Sequence, residues 1–420
     1  VDDYVLVAVL QACKPETDLS QGESIHVDAI ESGFEQSVFV GNALINMYAK
    51  SDRFENSCIA FNRLVAKDVV TWNIIIGGNL GQCRYERVLY LFHQMQKEGI
   101  EPNPVTLLCG FKACIGMRAL KEGFFIHELA IELGLESDMF VASTAMDMYA
   151  KCGDVESAEI VFRRIHKHNL AVWNVLITAY ARDGHSYEAA HLLQQMQHEG
   201  IEPDKVTWTA LITGHVRHGH SEAALQLFKR MQEKGIDFDN VMIVSVLQAC
   251  SSLSDIGLGR QIHEQISSMG SKQDVIVRCS LIDMYCKCGS LESARRVFDE
   301  WPVRNVAAWN AMVAGYVQHG RSEDALQLFG QMHENAIQPD IVTWNTIIFC
   351  CAQQGQVEEA MRFLEKLKES GLNPDCSTLS SVLKACATAS RVEEGRMVHM
   401  HICVCSCDSD IVLNNILVDM

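Results

Sequence analysis

The sequence predicts an all-α solenoid built from helical hairpins, and three observations carry that expectation. One pattern recurs from end to end with a period of 35 or 31 residues. Within each period the apolar residues form two runs of helical spacing separated by a breaker. One place in the period is nearly always glycine or alanine, as close helix approach requires. Residues 341–375 show the pattern most fully. Trp344, Ile347, Ile348 and Cys351 share a face of a first helix, and Val357, Ala360, Met361, Leu364 and Leu367 share a face of a second. Gly355 separates the two. Gly371 and Pro374 end the second, because glycine accepts a left-handed cap and proline lacks the N–H to continue the ladder.

A chain of 420 residues exceeds one compact core, and the period decides for an array over several globular domains. With 48% hydrophobic and 21% charged residues the chain is neither disordered nor membrane-embedded, and no apolar run is long enough to span a bilayer. The units come in three types. They run 3–37, 38–68 and 69–103, then 104–138, 139–169 and 170–204, with 205–239 repeating the last type. The next round is 240–274, 275–305, 306–340 and 341–375, followed by 376–410 and a partial 411–420. The twentieth residue is Gly22, Gly123, Gly259 and Gly395 in the first type, and Ala158, Ala189, Ala224, Ala294, Ala325 and Ala360 in the others. Ser57 and Val88 depart from the rule and are expected to mark looser packing. Val1 is no initiator and 411–420 stops inside a unit, so the chain reads as a fragment in which an upstream targeting segment would not be seen.

The strings VTWN at 342–345, LIDMY at 281–285, KCG at 287–289 and LQAC at 247–250 recur in phase over the whole chain. Together they resemble the pentatricopeptide repeat family, and within it the plant-type subclass that alternates long, short and standard motifs. Tetratricopeptide arrays have a similar period, but their Trp-Leu-Gly-Tyr spacing is missing. The resemblance implies a right-handed superhelical solenoid that binds single-stranded RNA along its concave surface, one base per unit, in the mitochondrion or chloroplast.

Such a reader needs two side chains per unit, one on the inner helix reaching a base edge and one at the junction with the next unit. The fifth and last residues of the short and standard units suit this. The fifth are Asn42, Asn73, Ser143, Asn174, Thr209, Cys279, Asn310 and Asn345, with Asn415 in the partial unit; the last are Asp68, Asn103, Asn169, Asp204, Asp239, Asn305, Asp340 and Asp375. Asn reaches a small pyrimidine, whereas Ser or Thr leaves room for a purine. At the junction a carboxylate only accepts, which suits the imino N–H of uracil or guanine, while an Asn amide also donates to the ring nitrogen of cytosine or adenine. Helix capping accounts for an Asp or Asn at any single junction, but it does not call for the pairing of types between the two places. Read with the 5′ end at the N-terminus, as the resemblance implies, the pairs give 5′-UCNAUGN(A)UU-3′. The long units, whose fifth residues include Val7, Leu108 and Val244, are spacers.

Three further rows accompany the readers. The second residues Phe39, Val70, Phe140, Ala171, Val206, Ile276, Ala307 and Val342 are apolar, suited either to wedging between bases or to core packing. The thirteenth residues Lys50, Lys151, Arg182, Arg217 and Lys287 are cationic and either follow phosphates or are solvated surface charge. Trp72, Trp173, Trp208, Trp309 and Trp344 hold the fourth place of the standard units, where strict periodicity points to packing.

The net charge of −18 is the opposite of the usual nucleic-acid footprint, and it predicts weak nonspecific binding. Acids such as Glu292, Glu323, Glu358 and Glu359 fall on second helices. His399, His401, Cys403, Cys405 and Cys407 alternate, but alternate helical residues point about 200° apart and do not gather tetrahedral metal ligands. The rows His26, His127, His263, His399 and Cys13, Cys114, Cys250, Cys386 read as structural, as do Cys152 and Cys288. Seventeen cysteines so distributed suit a reducing compartment. No His-x-Glu with a later Pro-Cys-x-x-Cys is present, so the expectation is a non-enzyme without cofactor or metal. The function expected is sequence-specific single-stranded RNA binding, as the recognition module of an organellar C-to-U editing or processing factor. Its partners would be a transcript and editing cofactor proteins or a deaminase domain in cis or trans, with no membrane. The alternative is a protein scaffold without RNA binding.

Overall fold

The structure is a computed structural model that describes residues 3–12, 19–51, 53–165, 167–268, 274–301, 305–404 and 411–419. Among the described residues all regular structure is helical, and it falls into two compact bodies, Val1–Gly214 and His215–Met420. In the first body, Asp3–Ala12, Val38–Lys50, Val69–Gly81, Pro104–Met117, Met139–Cys152 and Leu170–Arg182 are first helices of hairpins, each packed on the next. Their second helices are Leu19–Glu31, Phe54–Arg63, Tyr85–Lys97, Leu120–Glu132, Val155–Arg164 and Ser186–His198. A second helix wedges between its own first helix and the one that follows, as Tyr85–Lys97 does between Val69–Gly81 and Pro104–Met117. The second body repeats the arrangement through Asn240–Leu253, Val275–Lys287, Val306–Gln318, Ile341–Gln353, Cys376–Thr388 and Ile411–Asp419.

The tryptophans are core residues, as their periodicity indicates: all five are buried. Each of four meets a phenylalanine from the preceding second helix edge-on, with ring centroids 4.8 Å apart for Phe61–Trp72 and Phe162–Trp173, 4.9 Å for Phe298–Trp309 and 5.2 Å for Phe329–Trp344. His26, His127, His263 and the described row cysteines are structural too, whereas His399 is exposed. His26, His127 and His263 bond through Nδ1 to the hydroxyls of Tyr48, Tyr149 and Tyr285 at 2.9, 2.9 and 3.0 Å, so each of these second helices is tied to the next first helix. Burial holds His127 and His263 below the ordinary histidine range, and so neutral. Cys114, Cys250 and Cys386 are buried, and the thiols of Cys152 and Cys288 lie 3.8 Å from the carbonyls of Cys114 and Cys250. Burial pushes Cys114, Cys250, Cys286 and Cys351 up to about 12, which leaves them inert thiols. Cys13, Cys405 and Cys407 lie outside the described residues.

One packing expectation is corrected. Ser57 and Val88 are fully buried, as tightly enclosed as the alanines that hold the same place elsewhere. The Ser57 hydroxyl finds an acceptor in the Ile45 carbonyl at 3.0 Å, which removes the penalty of burying it. The turn between helices is more uniform than its sequence. Gly355 has φ +68°, and where this place lacks glycine, Cys83, Arg118, Ser254 and Ser390 still adopt φ between 52° and 56°. The left-handed residue is imposed by the helix–helix angle rather than chosen by the residue.

First helices approach closely where a tenth-place residue meets the twelfth-place residue of the unit before. A Cβ on Gly78 would lie 3.2 Å from the Ala49 Cβ, and one on Gly214 would lie 2.5 Å from the Ala181 carbonyl oxygen. Backbone cannot swing aside as a flexible side chain can. Gly214→Ala is therefore expected to destabilise the chain by about 1–3 kcal/mol, the usual cost of overpacking. Gly330→Ala, on a second helix with nothing within 4 Å of the new methyl, is expected to be neutral or to stabilise by roughly 0.5–1 kcal/mol. Denaturant midpoints of the two variants check the pair of expectations; equal effects would contradict them.

Candidate functional site

The last residue of a unit is the N-cap of the next first helix, with extended backbone, φ lying between −88° and −108° at Asp68, Asn103, Asn169, Asp239, Asn305, Asp340 and Asp375. Its side chain accepts the backbone N–H three residues on, for example Thr71 N at 2.8 Å from Asp68 and Thr343 N at 2.9 Å from Asp340. Because consecutive first helices pack side by side, this cap also comes beside the second turn of the previous first helix. The fifth residue stands there. Asn73 Nδ2 donates to Asn103 Oδ1 at 3.0 Å and Asn174 Nδ2 to Asp204 Oδ1 at 3.1 Å. Asn310 reaches both oxygens of Asp340 at 3.0 and 3.1 Å, and Asn345 both oxygens of Asp375 at 3.2 and 3.0 Å. Asn42 makes a longer bond of 3.4 Å to Asp68. Capping and pairing coexist, so the two explanations for these residues are not rivals.

A third residue joins four of these junctions, one outside the sequence-derived pairs. Thr71, Thr106, Thr207, Thr343 and Thr378 are fully buried in the first turn. The hydroxyl donates to the fifth-place amide oxygen: Thr106 to Asn73 at 2.6 Å, Thr207 to Asn174 and Thr343 to Asn310 at 2.5 Å, and Thr378 to Asn345. The capping box spelled by Asp or Asn followed three residues later by Thr was the available signal. Burial raises the Asp68, Asp204, Asp340 and Asp375 carboxyls, but hydrogen bonds from the Thr N–H and hydroxyl and the Asn amide outweigh it and hold each below the ordinary aspartate range. These junctions present an ionised acceptor beside an oriented amide.

The hydroxyls at two of the other predicted readers bond locally. Ser143 donates to the Phe140 carbonyl at 3.2 Å, and Thr209 to the Lys205 carbonyl at 2.8 Å, each on its own helix. Cys279 lies 3.9 Å from Asn305 Oδ1, a weak contact. Asn169, Asp239 and Asn305 still cap their helices, at 3.0, 2.9 and 3.0 Å. Asn415 is exposed on Ile411–Asp419. Leu108 and Val244 are half-buried, as is Val7.

The second-place row is exposed, which excludes core packing for it. Phe39 is 75% exposed and Phe140 72%, and Val70, Ala171, Val206, Ile276, Ala307 and Val342 are likewise exposed. Each stands three residues before a fifth-place side chain and so on the same helix face. Tyr4, Val105 and Val241 hold the same place on Asp3–Ala12, Pro104–Met117 and Asn240–Leu253 and are also exposed. The cationic row is mixed. Lys151 and Lys287 pair with Asp147 and Asp283 one turn back at 2.8 Å, and Arg182 donates to the Ala150 carbonyl of the preceding first helix. Lys50 and Arg217 are exposed. The acidic excess has a location: Glu55, Glu86, Glu122, Glu156, Glu188, Glu222, Glu292, Glu323, Glu358 and Glu393 sit in the first turns of second helices, where the helix dipole favours them. Among the described residues no group of three or more His, Cys, Asp or Glu could hold a metal ion, and no helix is long and apolar enough to cross a membrane.

Residues 67–115, 168–214, 203–252, 304–343 and 339–388 match the PPR repeat family, and 140–170 and 277–306 match the PPR repeat. A pentatricopeptide repeat-containing protein of Arabidopsis thaliana named chloroplastic is 30% identical over 335 residues, covering 80% of this chain and 37% of the relative. One named mitochondrial, from the same plant, is 33% identical over 361 residues, covering 81% of this chain and 36% of the relative. The chain thus spans well under half the length of these relatives. Among solved structures, the pentatricopeptide repeat protein PPR10 in complex with an 18-nt psaJ RNA element is similar in fold, with a TM-score of 0.56 and 18% identity over 87% of this chain and 60% of that one. With repeats matched over more than half its length, this chain belongs to the pentatricopeptide repeat family.

Proposed function

We propose that the chain binds single-stranded RNA sequence-specifically, each short or standard hairpin reading one base through its fifth and last residues. The observation that carries this is the side-chain pairing of Asn with Asp or Asn at consecutive hairpins, each beside an exposed apolar second-place residue on the same face. A paired carboxylate or amide presents a defined acceptor or donor to a base edge, and apolar side chains on either side can hold the base plane. That a family relative of similar fold is described with a bound RNA element supports the same reading. The unit boundaries, three-type alternation and target 5′-UCNAUGN(A)UU-3′ belong to the proposal. So does the wider role: recognition module of a chloroplast or mitochondrial C-to-U editing or processing factor, not itself an enzyme, working with editing cofactors or a deaminase. Relatives named chloroplastic and mitochondrial support the organellar part.

Filter binding with the matched RNA, a scrambled RNA and a salt series tests the reading. Matched RNA is expected to bind tighter at every salt; equal binding of both would favour a protein scaffold. Thr209→Asn is expected to turn preference at its own nucleotide from G to U, changing discrimination by about 1–3 kcal/mol, the cost of one mismatched base in DNA sites. Indifference of both proteins to G and U there would sink one-base reading.

Acidification gives a further test. A depressed carboxyl stays ionised below the free-aspartate value of about 3.9, so its contribution is complete above that value and lost only as pH falls through the lower folded value. Preference for U at the Asn174, Asn310 and Asn345 nucleotides is therefore expected to be the same at pH 5 as at pH 7. A midpoint of loss between those two would mean the carboxylates are not the acceptors.

A further inference from the structure

We infer that the buried threonine in the first turn of the following helix is a third specificity determinant at the Asn73, Asn174, Asn310 and Asn345 junctions, acting as a positioning residue that fixes the orientation of the Asn amide. The inference rests on the proposed base-reading role. Its first support is covariation inside this one chain. Asn42, Asn73, Asn174, Asn310 and Asn345 are followed at the next unit's third place by Thr71, Thr106, Thr207, Thr343 and Thr378. Ser143, Thr209 and Cys279 are followed there by Val172, Met242 and Ala308, and the spacer residues Val7, Leu108 and Val244 by Val40, Val141 and Val277. No hydroxyl appears at this place without an Asn upstream.

Capping does not explain the pattern. Asn169, Asp239 and Asn305 cap their helices through the backbone N–H of Val172, Met242 and Ala308, at 3.0, 2.9 and 3.0 Å, with no hydroxyl present. The place is fully buried, so a hydroxyl there is unfavourable unless it is bonded. A hydroxyl has one proton, and the nearer of its two acceptors is the amide oxygen: Thr207 Oγ1 lies 2.5 Å from Asn174 Oδ1 and 2.9 Å from Asp204 Oδ1. Thr343 repeats those distances on Asn310 and Asp340, and Thr106 gives 2.6 and 3.0 Å on Asn73 and Asn103.

The consequence is directional. With Oδ1 occupied by the hydroxyl, the Asn must turn Nδ2 toward the cap residue, where one proton is donated and the other is left for a ligand. The cap's own oxygen is fixed by the helix N–H, so Asn103 turns its amide nitrogen outward while Asp204 or Asp340 offers carboxylate oxygen. Donor or acceptor at the junction is then decided by three residues acting together. Asn42 is the loose case, with its long bond to Asp68, an unpartnered Oδ1, and the Thr71 hydroxyl given to Asp68 at 2.8 Å.

The test uses the full chain with Thr207→Val and Thr207→Ser, titrated with RNAs carrying each of the four bases at the Asn174 nucleotide. Thr207→Val is expected to lose about three- to tenfold of its preference for U there, the scale of one hydrogen bond. Preference at the Asn310 nucleotide is expected to stay unchanged, and the chain to stay folded with a lowered thermal midpoint, because Asn174 Oδ1 and the Asp204 N–H lose the hydroxyl while Val172 shows that valine fits the same place at another junction. Thr207→Ser is expected to keep the preference. A valine variant with full preference overturns the inference, and so does one that loses preference equally at all nucleotides, which marks general packing. Wild type without any preference at the Asn174 nucleotide defeats the base-reading proposal and this inference with it, and is recognised before any variant is made. A gain-of-function arm does not depend on Thr207. Ser143→Asn with Val172→Thr is expected to select C over A about three- to tenfold better than Ser143→Asn alone; equal selection by the two also overturns the inference.

Discussion

The side-by-side packing of consecutive first helices is the constraint on which the rest depends. A hairpin cannot bury its apolar faces alone, so each leans on the next. Small residues set how near they come, as at Gly78 against Ala49 and Gly214 against Ala181, and Trp–Phe contacts set the register. With distance and register fixed, the N-cap of one helix must fall beside the second turn of the helix before. The junction chemistry is a product of core packing.

Charge is arranged around that geometry rather than against it. The acidic excess is concentrated at the starts of second helices, where it stabilises the dipole, while the carboxylates at first-helix N-caps are held ionised by two backbone-anchored bonds and an amide. A net charge of −18 is therefore compatible with a polar, oriented surface on the first helices. The exposed lysines at Lys151 and Lys287 are shared with Asp147 and Asp283, and exposed pairs of this kind are weak enough to exchange partners.

Junctions divide into closed and open kinds. At Asn73, Asn174, Asn310 and Asn345, a buried threonine, an amide and a carboxylate or second amide form one continuous network, and such networks fix orientation because every member would be costly to leave unpaired. Where the fifth residue is Ser143 or Thr209, the short side chain donates to a carbonyl of its own helix. The difference in side-chain reach, one atom or two, becomes a difference in what the junction offers.

The sequence by itself determined the hairpin period, the burial of the tryptophans, the structural part of His26, His127, His263, Cys114, Cys250 and Cys386, and the junction pairs that Asn42, Asn73, Asn174, Asn310 and Asn345 form. All of these follow from spacing, since residues one period apart must occupy equivalent places in a stacked array. Only the tertiary structure decided which way a shared face points. It turned the second-place row outward, with Phe39 and Phe140 exposed, and it enclosed Ser57 and Val88 as fully as the alanines around them. It also tied Arg182 to a backbone carbonyl and drew Thr106, Thr207, Thr343 and Thr378 into the junctions. Periodicity reports that residues are neighbours on one helix, but whether that face meets a second helix or solvent, and which hydroxyl meets which amide, depends on contacts between residues some thirty positions apart, as in the 33-residue separation of Thr207 and Asn174.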